Sequence, residues 1–188
     1  DNNNFEKYLD TINRQIKDIE NLVNEFSNFA RMPRPIFKKI NIYEVINRSI
    51  NFVKILPNNK INIITNNKNL IINGDADQLN RVFINLIKNS EEEFAGLIRK
   101  DPNFKGKIDI EIISNTDYIM IKLTDNGPGI SNTKKAMTPY FTTKQKGTGL
   151  GLPIVSKIIN EHSGDLSIYN KEQNRGINIQ ISFPNINV

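Results

Sequence analysis

The sequence predicts an α+β chain, and three observations carry that prediction. Short runs rich in Ile, Val and other strand-forming residues recur between turn residues, as in Lys60–Thr65, Tyr118–Thr124 and Ile177–Phe183. Longer stretches between them place apolar residues three and four apart, the spacing of a helix with one buried face. In front stands a single long helical stretch, from Phe5 to Ala30, whose apolar residues repeat as heptads.

Taken in order, that first helix has apolar residues at Phe5, Leu9, Ile12, Ile16, Ile19, Val23, Phe26 and Ala30. Alternating steps of four and three give a period of about 3.5, which favours pairing with another helix over folding back on its own domain. The prolines of RMPRP stop it at Met32. Pro33–Lys39 reads as linker, Ile40–Tyr43 as a strand and Glu44–Leu56 as a helix, with LPNNK as a turn. Lys60–Thr65 and Leu70–Asn73 are strands either side of TNNKN. A helix follows from Asp75 or Asp77 to Arg99, its core face formed by Leu79, Val82, Phe83, Leu86 and Ile87. Gly106–Ser114 and Asp117–Thr124 read as a hairpin turning at NTD. Leu152–Asn160 is helical, and Leu166–Asn170 and Ile177–Phe183 close the chain.

The most informative stretch is DNGPGISNTKKAMTPYFTTKQKGTGLGL, Asp125 to Leu152, which holds five of the ten glycines. The cluster DNGPG follows a strand, and GTGLG opens a helix. A glycine turn feeding a helix N-terminus suits an anion, because backbone N–H groups can approach closely and the first turn leaves its donors free. The spacing is neither that of a P-loop nor that of a Rossmann fingerprint. Upstream, Asn85 and Asn89 are four apart, so their side chains leave the helix on one side. Asn is mildly unfavourable in a helix interior, which invites a functional reason.

The order NLIKN, DNGPGI, PYFTTK, GTGLGL resembles the N, G1, F and G2 boxes of the histidine-kinase ATP-binding domain, a member of the gyrase, Hsp90, histidine kinase and MutL superfamily. The resemblance covers roughly residues 36 to 184 and implies a two-layer α/β sandwich of the Bergerat type, with a mixed sheet and helices on one face, preceded by a long dimerisation helix. Residues 1–35 would be the second helix of a dimerisation and phosphotransfer domain, and residues 36–188 the catalytic domain. The segment EFSNFARMPRP resembles the end of that helix in nitrogen-regulation sensor kinases of the NtrY type.

By this resemblance Asn89 supplies an oxygen to Mg²⁺, a hard cation that keeps several waters and takes few protein ligands. Asn85 joins the nucleotide site. At its position the ATP-hydrolysing relatives carry a glutamate, whereas an amide cannot act as a general base. Asp125 would accept a hydrogen bond from the exocyclic amine of adenine, since an acceptor-only group selects adenine over guanine. Gly127 and Gly129 would let the backbone pass close to the base, with Ile130 beside them. Ser131–Lys146 would be the lid, anchored by Pro139, Tyr140 and an inward Phe141, with Lys144 or else Lys146 on phosphate. Thr148 and the backbone of Gly147, Gly149, Leu150 and Gly151 would hold the phosphates.

One departure stands out. The family continues with small residues after the second Asn, where this chain has Ser90, Glu91, Glu92 and Glu93. Carboxylates aimed at a triphosphate would repel it, so at least Glu91 is expected to face solvent.

The resemblance implies ATP and Mg²⁺ as ligands, a homodimer through the N-terminal helix and a response regulator as partner. The phosphoacceptor histidine is expected outside this chain, because the single histidine, His162, follows the GTGLGL helix, where a structural role suits it. The alternative is a non-catalytic, nucleotide-binding dimerisation module, favoured by the acidic run; a hydrolytic member is opposed by Asn85. The net charge of +5 is scattered rather than clustered among aromatics, so no nucleic-acid partner is expected. No cysteine is present, which removes disulfides and thiolate metal sites. No apolar run is long enough for a membrane span, and Asp rather than Met at position 1 points to a piece of a longer protein. The expected setting is the cytoplasmic part of a bacterial inner-membrane sensor, with any membrane link in other parts of that protein.

Overall fold

A computed structural model describes residues 2–142, 144, 147–171 and 176–186. The chain runs α1 (Asn2–Ala30), β1 (Lys38–Asn41), α2 (Ile42–Phe52), β2 (Lys60–Ile64), β3 (Ile71–Gly74), α3 (Ala76–Lys100), β4 (Lys107–Ser114), β5 (Tyr118–Asp125), α4 (Thr133–Ala136), α5 (Gly151–Glu161), β6 (Asp165–Asn170) and β7 (Ile177–Pro184). Five strands form one mixed sheet in the order β2-β4-β5-β7-β6, and β1 pairs with β3 in a separate antiparallel ribbon. Among the described residues only β2 and β4 run parallel, with α3 in the crossover between them; the other pairs of the five-stranded sheet are antiparallel.

Strand periodicity explains the two layers. Ile108, Ile110 and Ile112 on β4, Ile119, Ile121 and Leu123 on β5, and Ile179, Ile181 and Phe183 on β7 are buried, while their neighbours in sequence face the other way. Against this apolar face pack Leu79, Val82, Phe83, Leu86, Ile87 and Phe94 of α3 and Ile154, Val155, Ile158 and Ile159 of α5. Each such side chain contributes about 1.5–3 kcal/mol on leaving water, so this interface holds the domain together. The result is the expected two-layer α/β sandwich with its helices on one face.

Element boundaries moved where capping overrode the apolar pattern. The helix expected from Glu44 begins at Ile42, because the Asn41 side chain accepts the Tyr43 N–H and fixes the start there. It ends at Phe52 rather than Leu56, with Val53 already extended. Asp75 settles the other uncertain start by capping α3, its Oδ1 accepting from the N–H of Asp77 and of Gln78. The short helix α4 within the glycine-rich stretch carried too few apolar residues to be read from periodicity.

The heptad face of α1 is not covered by its own domain. Phe5, Ile12, Ile16, Ile19 and Val23 are each at least half exposed. The linker after α1, by contrast, is docked. The Ile36 N–H donates to Asp75 Oδ2 at 2.8 Å, and Gln78 Nε2 donates to the Pro33 carbonyl at 2.9 Å. His162 completes this corner: it is buried, its Nε2 accepts from the Asp75 N–H at 2.9 Å, and its Nδ1 lies 2.8 Å from the Ile158 carbonyl. The ring therefore donates at Nδ1 and accepts at Nε2, tying α5 to the start of α3, with Phe37 packed 5.1 Å away. Among the described residues no helix is long and apolar enough to cross a membrane.

Burial pushes the Asp75 carboxyl up, but the N–H groups of Ile36, Gln78 and Asp77 outweigh it and hold the group below the ordinary aspartate value. Its stabilisation is therefore complete above the ordinary value and is lost as pH falls through the lowered one. Asp75→Ala is expected to lose about 1–2 kcal/mol in chemical denaturation at neutral pH, with the gap to the native chain closing in acid. Equal stability at neutral pH would contradict this role.

Candidate nucleotide site

Three elements meet around a cavity of about 800 Å³. Helix α3 supplies one wall because Asn85 and Asn89 are four apart and Glu92 and Glu93 lie three and four residues beyond Asn89, so the four share a side of the helix turned away from the core face. The end of β5 supplies Asp125. The loop before α5 supplies Gly147, Thr148 and Gly149, and α5 itself begins at Gly151.

Asp125 lies at the floor and is buried. Its Oδ1 accepts the Gly127 N–H at 2.9 Å and the Ile177 N–H at 3.2 Å, and its Oδ2 accepts the Ser90 hydroxyl at 2.7 Å. Beside it Ile130 is pinned by Asn170, which accepts the Ile130 N–H at 2.8 Å and donates to its carbonyl at 2.7 Å. At the other end, Asn85 Oδ1 and Asn89 Nδ2 each lie 3.5 Å from where a side-chain carbon at Gly151 would stand. Asn85 Nδ2 donates back to the Arg81 carbonyl at 2.8 Å, which leaves its oxygen for the cavity.

The charged part of the cavity centres on Lys144. Its Nζ lies 2.7 Å from Glu92 Oε2, 3.6 Å from Glu93 Oε1 and 3.5 Å from Asn89 Oδ1. A cation thus already sits against the Asn89 oxygen. Two carboxylates and an amide oxygen are hard donors of the kind that suit Mg²⁺.

The loop that carries the glycines is fixed by backbone geometry. Gly149 has φ of +68°, and a side-chain carbon there would stand 2.7 Å from the Phe141 carbonyl oxygen and 2.8 Å from the Phe141 nitrogen. Its carbonyl accepts the Tyr140 N–H at 3.1 Å, and Tyr140 itself has φ of +67°. The base of the lid and the glycine loop are therefore locked backbone to backbone.

Of the residues singled out from the sequence, Asn85, Asn89, Asp125, Gly129, Ile130, Phe141, Lys144, Gly147, Thr148, Gly149 and Gly151 line this cavity. Gly127 and Leu150 do not. Gly127 is buried behind Asp125 and presents its N–H to it, while the Leu150 side chain is fully buried in the core. Lys146 lies outside the described residues.

Glu91 does not face solvent as expected. It is buried, and its carboxylate accepts from the Leu56 N–H at 2.9 Å and from Asn59 Nδ2 at 3.0 Å. Asn59 in turn accepts the Gly106 N–H at 2.8 Å. The helical period explains the error, because Phe83, Ile87, Glu91 and Phe94 form one stripe, and that stripe faces the core. The carboxylates that face the cavity are Glu92 and Glu93. Ser90 and Asn170 also escaped the sequence reading. Ser90 could have been found from the same periodicity, whereas Asn170 gave no signal at the end of its strand.

The site is thus a cleft with a buried carboxylate at one end and a glycine loop feeding a helix N-terminus at the other, built on a helix-backed mixed sheet. The chain belongs to the histidine kinase-, DNA gyrase B- and HSP90-like ATPase family, whose profile matches residues 74–187. Its relatives narrow this to the ATP-binding catalytic domain of the sensor histidine kinase type. It is 38% identical over 182 residues, 95% of its length, to a putative sensor histidine kinase NtrY-like of Rickettsia conorii, and 30% identical over 182 residues, again 95% of its length, to the nitrogen regulation protein NtrY of Azorhizobium caulinodans. The chain spans 29% of the first of these proteins and 23% of the second. Among solved structures, the catalytic domain of histidine kinase ThkA is 29% identical with a TM-score of 0.64, covering 80% of this chain and 96% of that one.

Two substitutions test the framework of the site. Glu91→Ala would leave the part-buried Leu56 N–H and Asn59 amide without their acceptor, and is expected to cost about 1–3 kcal/mol in urea denaturation. Gly149→Ala would force a side chain into a left-handed residue pressed on Phe141, and is expected to lower stability by about 1–3 kcal/mol in thermal unfolding. A neutral result for either would mean that the contact is not held in solution.

Proposed function

We propose that this chain binds ATP with Mg²⁺ in the cleft between α3, β5 and α5, as the catalytic part of a two-component sensor histidine kinase. In that reading it presents the γ-phosphate to a histidine outside residues 1–188, from which an aspartate of a response regulator takes it. The observation that carries the reading is the convergence, on one cavity, of Asp125, the Asn85–Asn89 pair and the glycine loop before α5. Asp125 accepts the adenine amine, with Gly129 and Ile130 along the base and Gly127 behind the carboxylate. The N–H groups at the start of α5 and the Gly147–Gly149 backbone hold phosphate oxygens, aided by Thr148. Phe141 closes the cleft, and Lys144 leaves Glu92 and Glu93 for the phosphates.

Asn89 is the protein's oxygen for the metal. Held there, the metal would supply positive charge against the negative charge developing on transfer, while Asn89 fixes its place on the α3 wall. Asn85 holds the position of a general base without being one, which favours transfer to an acceptor side chain over hydrolysis. Residues 1–35 serve as the second helix of the dimerisation domain and residues 36–188 as the catalytic domain. The exposed heptad face of α1 supports a homodimer through that helix, since at least half of each of Phe5, Ile12, Ile16, Ile19 and Val23 would otherwise stay in water. The parent is read as a bacterial inner-membrane sensor with this segment in the cytoplasm.

A second reading, a non-catalytic module that dimerises and uses nucleotide structurally, is favoured by Glu92 and Glu93 in the cleft with Lys144 tied to them.

Titration calorimetry of ATP with and without Mg²⁺ tests the first reading. Binding is expected to depend on Mg²⁺ and to weaken about tenfold or more in Asn89→Ala. Binding that is indifferent to Mg²⁺ and to the substitution would favour the non-catalytic module, and no binding at all would leave the boxes vestigial.

A further inference from the structure

We propose that Ser90 is a specificity-determining residue of the base pocket, acting through the Asp125 carboxylate; the proposal rests on the reading of Asp125 as the adenine acceptor. The argument is an accounting of lone pairs. Each carboxylate oxygen offers about two acceptor positions. Both positions on Asp125 Oδ1 are taken by backbone, the Gly127 N–H at 2.9 Å and the Ile177 N–H at 3.2 Å. One position on Oδ2 is taken by the Ser90 hydroxyl at 2.7 Å. A single acceptor position therefore remains, and it lies on the oxygen that Ser90 already holds. The base must place its donor on the serine-bonded oxygen.

This arrangement does two things. It stops the carboxylate from turning, because each oxygen has a distinct set of donors that the other cannot take over. It also removes the hydroxyl proton from play. Ser90 has one O–H, and with that proton given to Asp125 the serine oxygen can only accept. A base edge arriving here meets acceptors on both Asp125 Oδ2 and Ser90 Oγ. Adenine presents an amine at this edge and is matched. Hypoxanthine and guanine present a carbonyl and are opposed. Ser90 and Asp125 are both buried, at 2% and 5% exposure, so water does not soften the mismatch in the unaltered site.

Without the hydroxyl, Oδ2 would have two open positions. A water admitted there can turn, donating to the carboxylate with one hydrogen and to a base carbonyl with the other. Discrimination should fall more than affinity does.

The experiment is calorimetric binding of ADP and of inosine diphosphate to the whole chain, to Ser90→Ala and to Asp125→Asn, with thermal unfolding as the control for folding. The native chain is expected to prefer ADP, and Ser90→Ala to narrow that preference by about five- to tenfold, the net worth of one ordinary hydrogen bond. A narrowed ratio in a folded protein supports the role of Ser90, because a packing defect would weaken both ligands alike. An unchanged ratio overturns it. Asp125→Asn separates the two levels. If that variant binds ADP as the native chain does, the reading of Asp125 itself is wrong and the proposal falls with it. If it loses ADP while Ser90→Ala keeps the native ratio, only the role of Ser90 is wrong.

Discussion

The buried carboxylate of Asp125 is the constraint on which the rest of this structure turns. A charge so enclosed is tolerated only when donors surround it. Here they come from three directions: Gly127 from its own turn, Ile177 from the start of β7 and Ser90 from α3. The helix layer is thereby bound to the sheet at the end where strands stop and a cavity begins. Fold and site share this one group, since removing it would take the acceptor from the N–H groups of Gly127 and Ile177 and the short partner from the Ser90 hydroxyl.

The opposite end of the cavity is governed by balance rather than by enclosure. Glu92 and Glu93 are only partly buried, and Lys144 lies between them with its own exposure reduced to 29% of the side chain. Such a pair contributes little to stability, because water and salt screen it. Its importance is the charge it sets. With Lys144 in place the acidic pair is partly neutralised, and that lysine is drawn onto the wall that carries Asn89. The lid segment is held to α3 by an interaction weak enough to exchange partners.

Much of this was legible in the sequence because local rules agreed with the global outcome. The strand-like run Tyr118–Thr124 marked a strand of the sheet, and the helical spacing of Leu79, Val82, Phe83, Leu86 and Ile87 marked the helix face that is buried against it. The glycine clusters announced a turn geometry, and at Gly149 a positive φ and backbone contact require it. What was not legible depended on partners distant in sequence. Glu91 was read by its charge alone, and the core face of its helix, where Leu56 and Asn59 wait as donors, outweighed that preference. His162 was read as a helix end, whereas its use is to accept from Asp75, 87 residues earlier. Side-chain to backbone bonds across such separations leave no period in the sequence.

The parallel pairing of β2 with β4 has a consequence for how the chain reaches this state. Asn62 meets Asp109, 47 residues later in the chain, whereas β4 and β5 are joined by a tight turn at Asn115. Closing the longer loop costs entropy that the hairpin does not incur. Helix α3 lies in the crossover that joins β2 to β4 and packs its core face on the sheet. Glu91, reaching from α3 to Asn59 and through it to Gly106, acts at the seam of that closure. This edge of the sheet is thus assembled at a larger loss of chain freedom than the β4–β5 hairpin, and one helical carboxylate lies at its seam.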